Sequence, residues 1–527
     1  MARTLLVRTI LCIVLLPLTV CSAAESSWGQ SPDSWDADSN GRSYDEVKQS
    51  IFEREHKLIQ IIGHYPMLME TYVQSLGFHS DVDMDKTRDR KREGLLDDLY
   101  YLSDVDFSNA SYSAPRVRQI IGHHWRQQYV VTNNSMMERL PPEGPVYMFF
   151  PDVSDFNERS YTLRYHQKTV INDTTCWEFI VHPREGVRPV GFSGSIWVDQ
   201  STLAIVRVKG VDVSTEPWYK RAFEGRFFQF DSFRERDPWG NWLPSVTYFD
   251  ERRTYIEDGD LRNDYRGYSI LWRRGAAEQR PRSISDPGTE IGTAGVVEQL
   301  ERDGVLAKVG PEEQMLNAIV QQLQRAAGVR GTLQCRILVT TPVEMFAVGR
   351  TIVVSRGLLN LVPDKAVLAV LIARSMASIL QDNQRSKPIL PHSIFDSAKR
   401  KDFAGLGIDS TTSEAATDKE MLLLLKGSGF ESGVPETVEF LAGLQKGSRL
   451  FRNLVKPRFG STIIPSREGF ATLSAEPISP RPLSEIRLRD VFRIAADGSI
   501  RRNCSLCRSD NGSDEFSASV NRLTSPQ

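Results

Sequence analysis

The sequence predicts an α+β protein: N-terminal helices laid on an antiparallel open β-barrel or sheet, followed by a mainly helical module with a small edge sheet. Three patterns carry that expectation. Residues 97 to 273 pass through strand after strand, with turn residues every roughly 8 to 12 positions and no helical stripe between them, the mark of an antiparallel sheet. Ahead of them, Ser43 and Glu46 form a capping box that opens a stripe of Val47, Ile51, Leu58, Ile61 and Ile62 at helical spacing. Behind them, Met315, Leu316, Ile319, Val320 and Leu323 form a second helical stripe, and two short apolar strands and a long apolar helix follow it. At 527 residues the chain exceeds one ordinary domain.

Taken in order, the first 24 residues have the layout of a secretory signal. Arg3 and Arg8 precede the apolar run Ile10 to Val20, and Ser22, Ala23 and Ala24 supply small residues for cleavage. Export to the periplasm or the extracellular space is expected. Val20 stands where a lipobox needs a small residue, which argues against lipid anchoring at Cys21. Residues 25 to 42 are polar and read as a disordered linker. Residues 43 to 96 are expected to be helical, with one helix to about 62 and a second, after Pro66, over MLMETYVQSL. In the β module, 97 to 273, the strand candidates are GPVYMFF, SYTLRYHQKTVI, CWEFIVHP, FSGSIWVD, LAIVRVKGV, GRFFQFDSF, WLPSVTYFDE and YRGYSILW, with QST and DPWGN as tight turns. Residues 274 to 309 form a linker through RRGAAEQRPRSISDPGTE. Pro311 opens the next helix, with Glu312 and Glu313 suited to its N-terminus and Gly328 to its stop. The strands CRILVT and TIVVS and the helix Asp364 to Leu380 follow within a unit spanning 310 to 450, and 451 to 527 is a polar tail.

A net charge of −2 excludes a nucleic-acid partner bound by bulk electrostatics. The basic residues Arg88, Arg90, Lys91 and Arg92 alternate with Asp81, Asp83, Asp85, Asp89 and Glu93 and read as a solvated loop. Past the signal no apolar run reaches the roughly 18 residues of a membrane span. Cys176 and Cys335 lie in strand-like runs and read as buried free thiols. Cys504 and Cys507 make a lone CxxC in the polar tail, a local disulfide or inert thiols.

Asp364 to Leu380 reads DKAVLAVLIARSMASIL and follows FAVGRTIVVSRGLLNLVP. This order of strand, GLL turn and apolar helix resembles the HtpX/Oma-type zinc metallopeptidases, whose corresponding helix carries HExxH. Aligned from Leu368 to Leu380, the resemblance puts Arg374 at the first zinc histidine, Ser375 at the general-base glutamate and Ser378 at the second histidine. Further on, EAATDKEMLLLLKGSGF resembles the family's third-ligand helix, with Glu414 at the zinc-binding glutamate and Asp418 at the aspartate that follows. HExxH works because two imidazoles on one helix face hold zinc beside a carboxylate base. Arg374 is permanently cationic and cannot ligate a dication, and serines at 375 and 378 replace neither group. No catalytic residue, metal or cofactor is therefore expected, and zinc belongs only to an alternative in which an active peptidase uses divergent ligands. A carboxylate buried without its dication is costly, so the Arg374 guanidinium is expected to replace the metal's charge and pair with Glu414 or Asp418. Ser375 and Ser378 lack a GxSxG elbow or a triad partner and read as ordinary mid-helix serines.

The segment GSIWVDQSTLAIVRV, Gly194 to Val208, resembles a hairpin of lipoprotein carriers of the LolA/LolB type, whose half-barrels hold acyl chains. The resemblance implies an apolar inner face, with Phe192, Trp197, Phe228, Phe230 and Trp242 as candidates, and a lipid ligand in a cavity of several hundred Å³. Aromatics in strands equally fill cores, with the N-terminal helices on the concave face. The sequence as a whole reads as an exported, non-catalytic, metallopeptidase-like protein that binds or scaffolds an envelope protein or lipoprotein. An active zinc metallopeptidase and a lipid or lipoprotein carrier working through the β module are the alternatives.

Overall fold

The computed structural model describes residues 32–62, 67–79, 92–106, 116–121, 156–273 (without 172, 185–189, 215–225, 238–239 and 254–263), parts of 297–310, 311–382, 414–448, 452–459 and 462–466, and the pairs 493–494 and 500–501. The secretory signal, Cys21, the basic stretch near Arg88, the GPVYMFF run, Cys504 and Cys507 lie outside the described residues.

Two helices, α1 (Pro32–Asp38) and α2 (Tyr44–Ile62), precede ten strands. These are β1 (Met67–His79), β2 (Arg92–Asp106), β3 (Arg116–Ile121), β4 (Tyr161–Ile171), β5 (Thr174–Pro183), β6 (Val190–Asp199), β7 (Ile205–Ser214), β8 (Arg226–Arg236), β9 (Trp242–Arg253) and β10 (Asp264–Arg273). They form one open antiparallel sheet in the order β3-β2-β1-β10-β9-β8-β7-β6-β5-β4, so β4 to β10 meander and β1 returns against β10. The sheet does not close into a barrel.

Two local expectations fail. The MLMETYVQSL segment is strand β1, not a helix: Met67, Met69 and Val73 are buried on one face, and Leu68, Glu70 and Tyr72 on the other. A strand covered on both faces loses the alternation that would identify it. The second correction falls within 25 to 42, where Pro32–Asp38 is helical and Trp35 is buried against Trp177, with ring centroids 5.0 Å apart. One indole docked in an aromatic cluster orders a segment whose composition is otherwise that of a linker.

The first face of the sheet carries Val73, Leu99, Phe179, Phe192, Phe230 and Phe249 in one cluster with Trp35, Val47, Ile51 and Phe52 of α1 and α2. The second face meets the C-terminal module. That module contains α3 (Pro311–Ala327), β11 (Gln334–Leu338), β12 (Met345–Val348), β13 (Thr351–Ser355), α4 (Arg356–Leu361), α5 (Lys365–Asp382), α6 (Glu414–Leu425), α7 (Gly433–Gly447) and α8 (Arg452–Val455). Its strands make a three-stranded sheet, β11-β13-β12, with β11 parallel and β12 antiparallel to β13. Alternate residues of β13 divide between two cores: Ile352 and Val354 pack with α3, α5, α6 and α7, whereas Val353 joins Phe346, Leu68 and Leu102 beneath the large sheet. The molecule is thus layered: helices, small sheet, large sheet, then α1 and α2.

Polar groups buried between the two sheets are matched across the interface. The Glu70 carboxylate accepts the Thr341 N–H at 2.5 Å and the Trp272 Nε1–H at 3.3 Å. Asp98 accepts the Asn453 N–H at 3.0 Å and the Tyr72 hydroxyl at 3.1 Å. Within the C-terminal module, Glu344 accepts the N–H groups of Arg458 and Phe459, both at 2.9 Å. Gly357 is required beside this seam, because a Cβ there would stand 1.7 Å from the Thr341 carbonyl oxygen.

Burial pushes the Glu70 carboxyl above the ordinary glutamate value of 4.5, and the bond from Thr341 only partly opposes it. A carboxyl whose folded-state value is raised contributes stability that is fully present below its unfolded value and lost as pH rises through the folded one. Glu70→Gln keeps an acceptor for Thr341 and removes the ionisation. Urea unfolding at a series of pH values should therefore show a flatter decline above about pH 4.5 in Glu70→Gln than in the parent chain. An identical decline in both would contradict the assignment.

Candidate functional site

Two places merit comparison with the sequence: the α5–α6 pair and the covered face of the large sheet. Helix α5 is apolar nearly all round because α3, α6, α7 and the small sheet surround it, and Leu368, Ile372, Met376 and Ala377 are fully buried. Arg374 is the cation in the middle of this helix. Its Nε–H donates to Asp418 Oδ1 at 2.9 Å and its Nη1 donates to the Ile463 carbonyl at 3.3 Å. The Asp418 side chain is 3% exposed and that of Arg374 18%. Glu414 begins α6, but its side chain lies outside the described residues. One turn on, Thr417 Oγ1 donates to Gln381 Oε1 at 3.2 Å, a second link between the helices. Ser375 and Ser378 are half-buried on α5. Gly429, at φ +83°, makes the left-handed turn after α6 that the GSGF sequence demands.

This constellation does not fit zinc. The guanidinium stands where the first imidazole would be needed, and it engages the aspartate; a cation cannot donate a lone pair. Among the described residues, no group of three His, Cys, Asp or Glu side chains comes together as a metal site. Burial raises the thiol of Cys176 to about 12 and that of Cys335 further, so neither buried cysteine is a nucleophile near neutral pH.

The second place lies beneath α2. Five side chains of this helix, Val47, Ile51, Phe52, Leu58 and Ile62, are buried, and Glu55 lies on the same stripe at 1% exposure. Glu55 meets Arg234 of β8 in a two-pronged ion pair, Nη1 to Oε2 at 2.7 Å and Nη2 to Oε1 at 2.5 Å, with both side chains 2% exposed or less. The aromatic part of the floor is Phe156, Tyr161, Tyr165, Trp177, Phe179 and Phe192, and Phe52 of α2 packs edge-on to Phe156 at 4.9 Å. Tyr44 fastens the start of α2, donating to the Leu163 carbonyl at 2.9 Å and accepting the Tyr165 N–H at 3.0 Å.

Of the residues expected on the inner face, Phe192 and Phe230 are there. Trp242 is not. It packs with Cys176, Val206 and Trp197 in a separate cluster away from the aromatic floor. The Trp197 ring lies under the Arg207 guanidinium at 4.6 Å, and the side chain of Phe228 is outside the described residues. The expectation of a half-barrel lined by all five aromatics is corrected accordingly. Sequence reasoning passed over Glu55 and Arg234. A glutamate in the middle of an apolar helical stripe was the available signal, and its partner lies 179 positions away.

No family model matches the chain and no curated protein matches it, so the metallopeptidase resemblance gains no support from that side. Among solved structures, a LolA superfamily protein from Nitrosomonas europaea aligns at 11% identity over 42% of this chain and 90% of its own, with a TM-score of 0.19. A DUF1329 family protein from Desulfovibrio piger aligns at 13% identity over 43% and 91%, with a TM-score of 0.19. MucB, in complex with MucA(peri), aligns at 7% identity over 44% and 94%, with a TM-score of 0.13. Scores of this size assign neither a family nor an activity. No helix among the described residues is long and apolar enough to cross a membrane.

Removing Arg374 leaves the buried Asp418 carboxylate without its guanidinium. Arg374→Ala should cost about 2 kcal/mol in chemical denaturation, less than the ~3–5 of a fully buried pair because Arg374 keeps some contact with solvent. The double variant Arg374→Met, Asp418→Leu should recover most of that loss. A single variant as stable as the parent would show that the pair does not join the helices.

Proposed function

We propose that this protein is an exported, non-catalytic carrier that takes an apolar chain, the acyl chain of a lipid or lipoprotein, onto the aromatic face of its open sheet, with α1 and α2 as a displaceable cover. The observation that carries this reading is the asymmetry of the two faces. The second face is closed by a whole folded module through backbone hydrogen bonds from Thr341 and Asn453 to the buried carboxylates Glu70 and Asp98 of the sheet. Among the described residues, the first face, wide and aromatic, is closed around its aromatic centre by the short N-terminal segment Pro32–Ile62.

In this state the face is filled by the protein's own side chains, so carriage requires exchange and not entry into an open cavity. The magnitudes permit it. Burial of the five apolar side chains of α2 is worth on the order of 10 kcal/mol as an upper figure. An acyl chain of about 16 carbons, at roughly 0.8 kcal/mol per buried CH2, offers about the same. Replacing the helix by such a chain is therefore close to neutral, which suits a carrier that must also release. A purely structural helix gains little from placing a carboxylate and a guanidinium under its apolar stripe, since buried pairs return little net stability.

The test is direct binding to the full chain. A fluorescent polyene fatty acid titrated into the protein should bind saturably, and Ile51→Ala, which loosens α2 without touching the sheet, should bind it several-fold more tightly. Absence of saturable binding in both proteins, with folding verified by circular dichroism, would remove the carrier reading.

A further inference from the structure

The face under α2 is not uniformly apolar, and its polar part is organised. Strand register aligns Ser232 of β8 with Thr247 of β9, Thr247 with Ser269 of β10, and Ser269 with Thr71 of β1. These residues form one continuous row across the sheet, each 2% exposed or less. Ser232 and Thr247 are joined hydroxyl to hydroxyl, and Thr71 and Ser269 are joined at 2.8 Å. The row next to it on the same face is apolar, with Phe230 beside Phe249 and Gly267 beside Val73. The ring of Phe249 lies over Gly267, where a Cβ would meet it at 2.8 Å. On the other side of the hydroxyl row, two residues along β8 from Ser232, stands Arg234. An aromatic floor therefore passes into a strip of hydroxyls and then into a buried cation, and α2 meets the floor through its apolar stripe and the cation through Glu55.

We propose that Arg234, with Ser232 and Thr247 as the members of the hydroxyl row nearest it, forms the head-group site for an anionic amphiphile, a carboxylate or phosphate carrying an apolar chain, and that Glu55 occupies this site while α2 covers the sheet. This rests on the carrier reading and names the chemical class of its ligand. The geometry supports it in two ways. The guanidinium already presents its two Nη groups to both oxygens of a carboxylate, the fork arrangement that matches carboxylate or phosphate alike. When α2 leaves, Glu55 leaves with it and water solvates the guanidinium; a ligand that covers the face buries this charge again, at a cost unless the ligand itself brings an anion. A neutral apolar ligand does not cure that deficit, whereas an anionic head group does. The hydroxyls suit the outer oxygens of such a group, since each can rotate to donate. Glu55 thus acts as an internal competitor, and the cover is exchanged only for a molecule that brings both a chain and a charge.

The experiment compares palmitate, palmitoyl lysophosphatidic acid and methyl palmitate on the full chain, by displacement of a fluorescent acyl probe. The parent protein should prefer both anionic amphiphiles to the ester by at least about tenfold. Whichever of the two binds more tightly identifies carboxylate or phosphate as the better head group. Glu55→Gln should raise the affinity for palmitate by about tenfold or more and widen its preference over the ester. Glu55→Gln combined with Arg234→Gln, which leaves no unpaired charge and keeps the fold within reach, should reduce the preference to near unity while retaining ester binding. A preference that survives in the double variant, or an ester that binds the parent as well as palmitate, overturns the head-group site and leaves the carrier reading standing. If none of the three binds either the parent or Glu55→Gln, both readings fall together.

Discussion

The large sheet is buried on both faces around β1, β2 and β10, and that constraint organises the molecule. A strand with no face in water cannot use polar alternation, so Met67–His79 and Arg92–Asp106 bury residues of every kind, Glu70 and Asp98 among them. Each carboxylate placed there must find donors, and the backbone donors come from the C-terminal module: the Thr341 N–H for Glu70 and the Asn453 N–H for Asp98. The small sheet is thereby fixed against the large one, and α3, α5, α6 and α7 pack behind it. The two modules share cores and carboxylate anchors and are one folded object on this side.

The opposite face obeys different physics. Among the described residues its closure depends on the apolar stripe of α2, on Trp35, on the Glu55–Arg234 ion pair, on Tyr44 at the helix start and on Asp38, which accepts from Tyr165 and Trp177. Apolar contact is non-directional, so what it excludes from water can be replaced by any apolar body of similar size. An ion pair is directional and replaceable only by like charge. On the proposed carrier reading, this combination makes the first face exchangeable, whereas the second is held through specific backbone bonds. The pairing of Arg374 with Asp418 belongs to the rigid side: it links α5 to α6 at a place where the metallopeptidase resemblance would set zinc, and its chemistry is that of a cross-brace.

Much of the sheet was legible as sequence because β4 to β9 alternate or carry tight turns at QST and DPWGN, signals that depend only on neighbouring residues. The helices α2 and α3 were legible for the same local reason, their stripes and end signals being complete. Strand β1 was not, since burial on both faces makes it resemble a buried helix, and neither was α1, where a single tryptophan outweighs the composition around it. The inner-face aromatics were legible only in part: Trp242 packs in a separate cluster with Cys176 and Val206, residues that only the folded strand order brings to it. Arg374 and Asp418 were reached through alignment to a known ligand set, and they lie 2.9 Å apart. The pair Glu55–Arg234 and the hydroxyl row cross 179 residues and four strands, and only the folded register assembles them.

The claim on which the functional account turns is that α2 is exchanged for an apolar chain. Hydrogen–deuterium exchange of the full protein, with and without saturating palmitate, reads this directly. Amides of Tyr44–Ile62 should lose protection when palmitate binds, while those of β5 to β8 keep or gain it. Palmitate binding with α2 as protected as before would contradict the account.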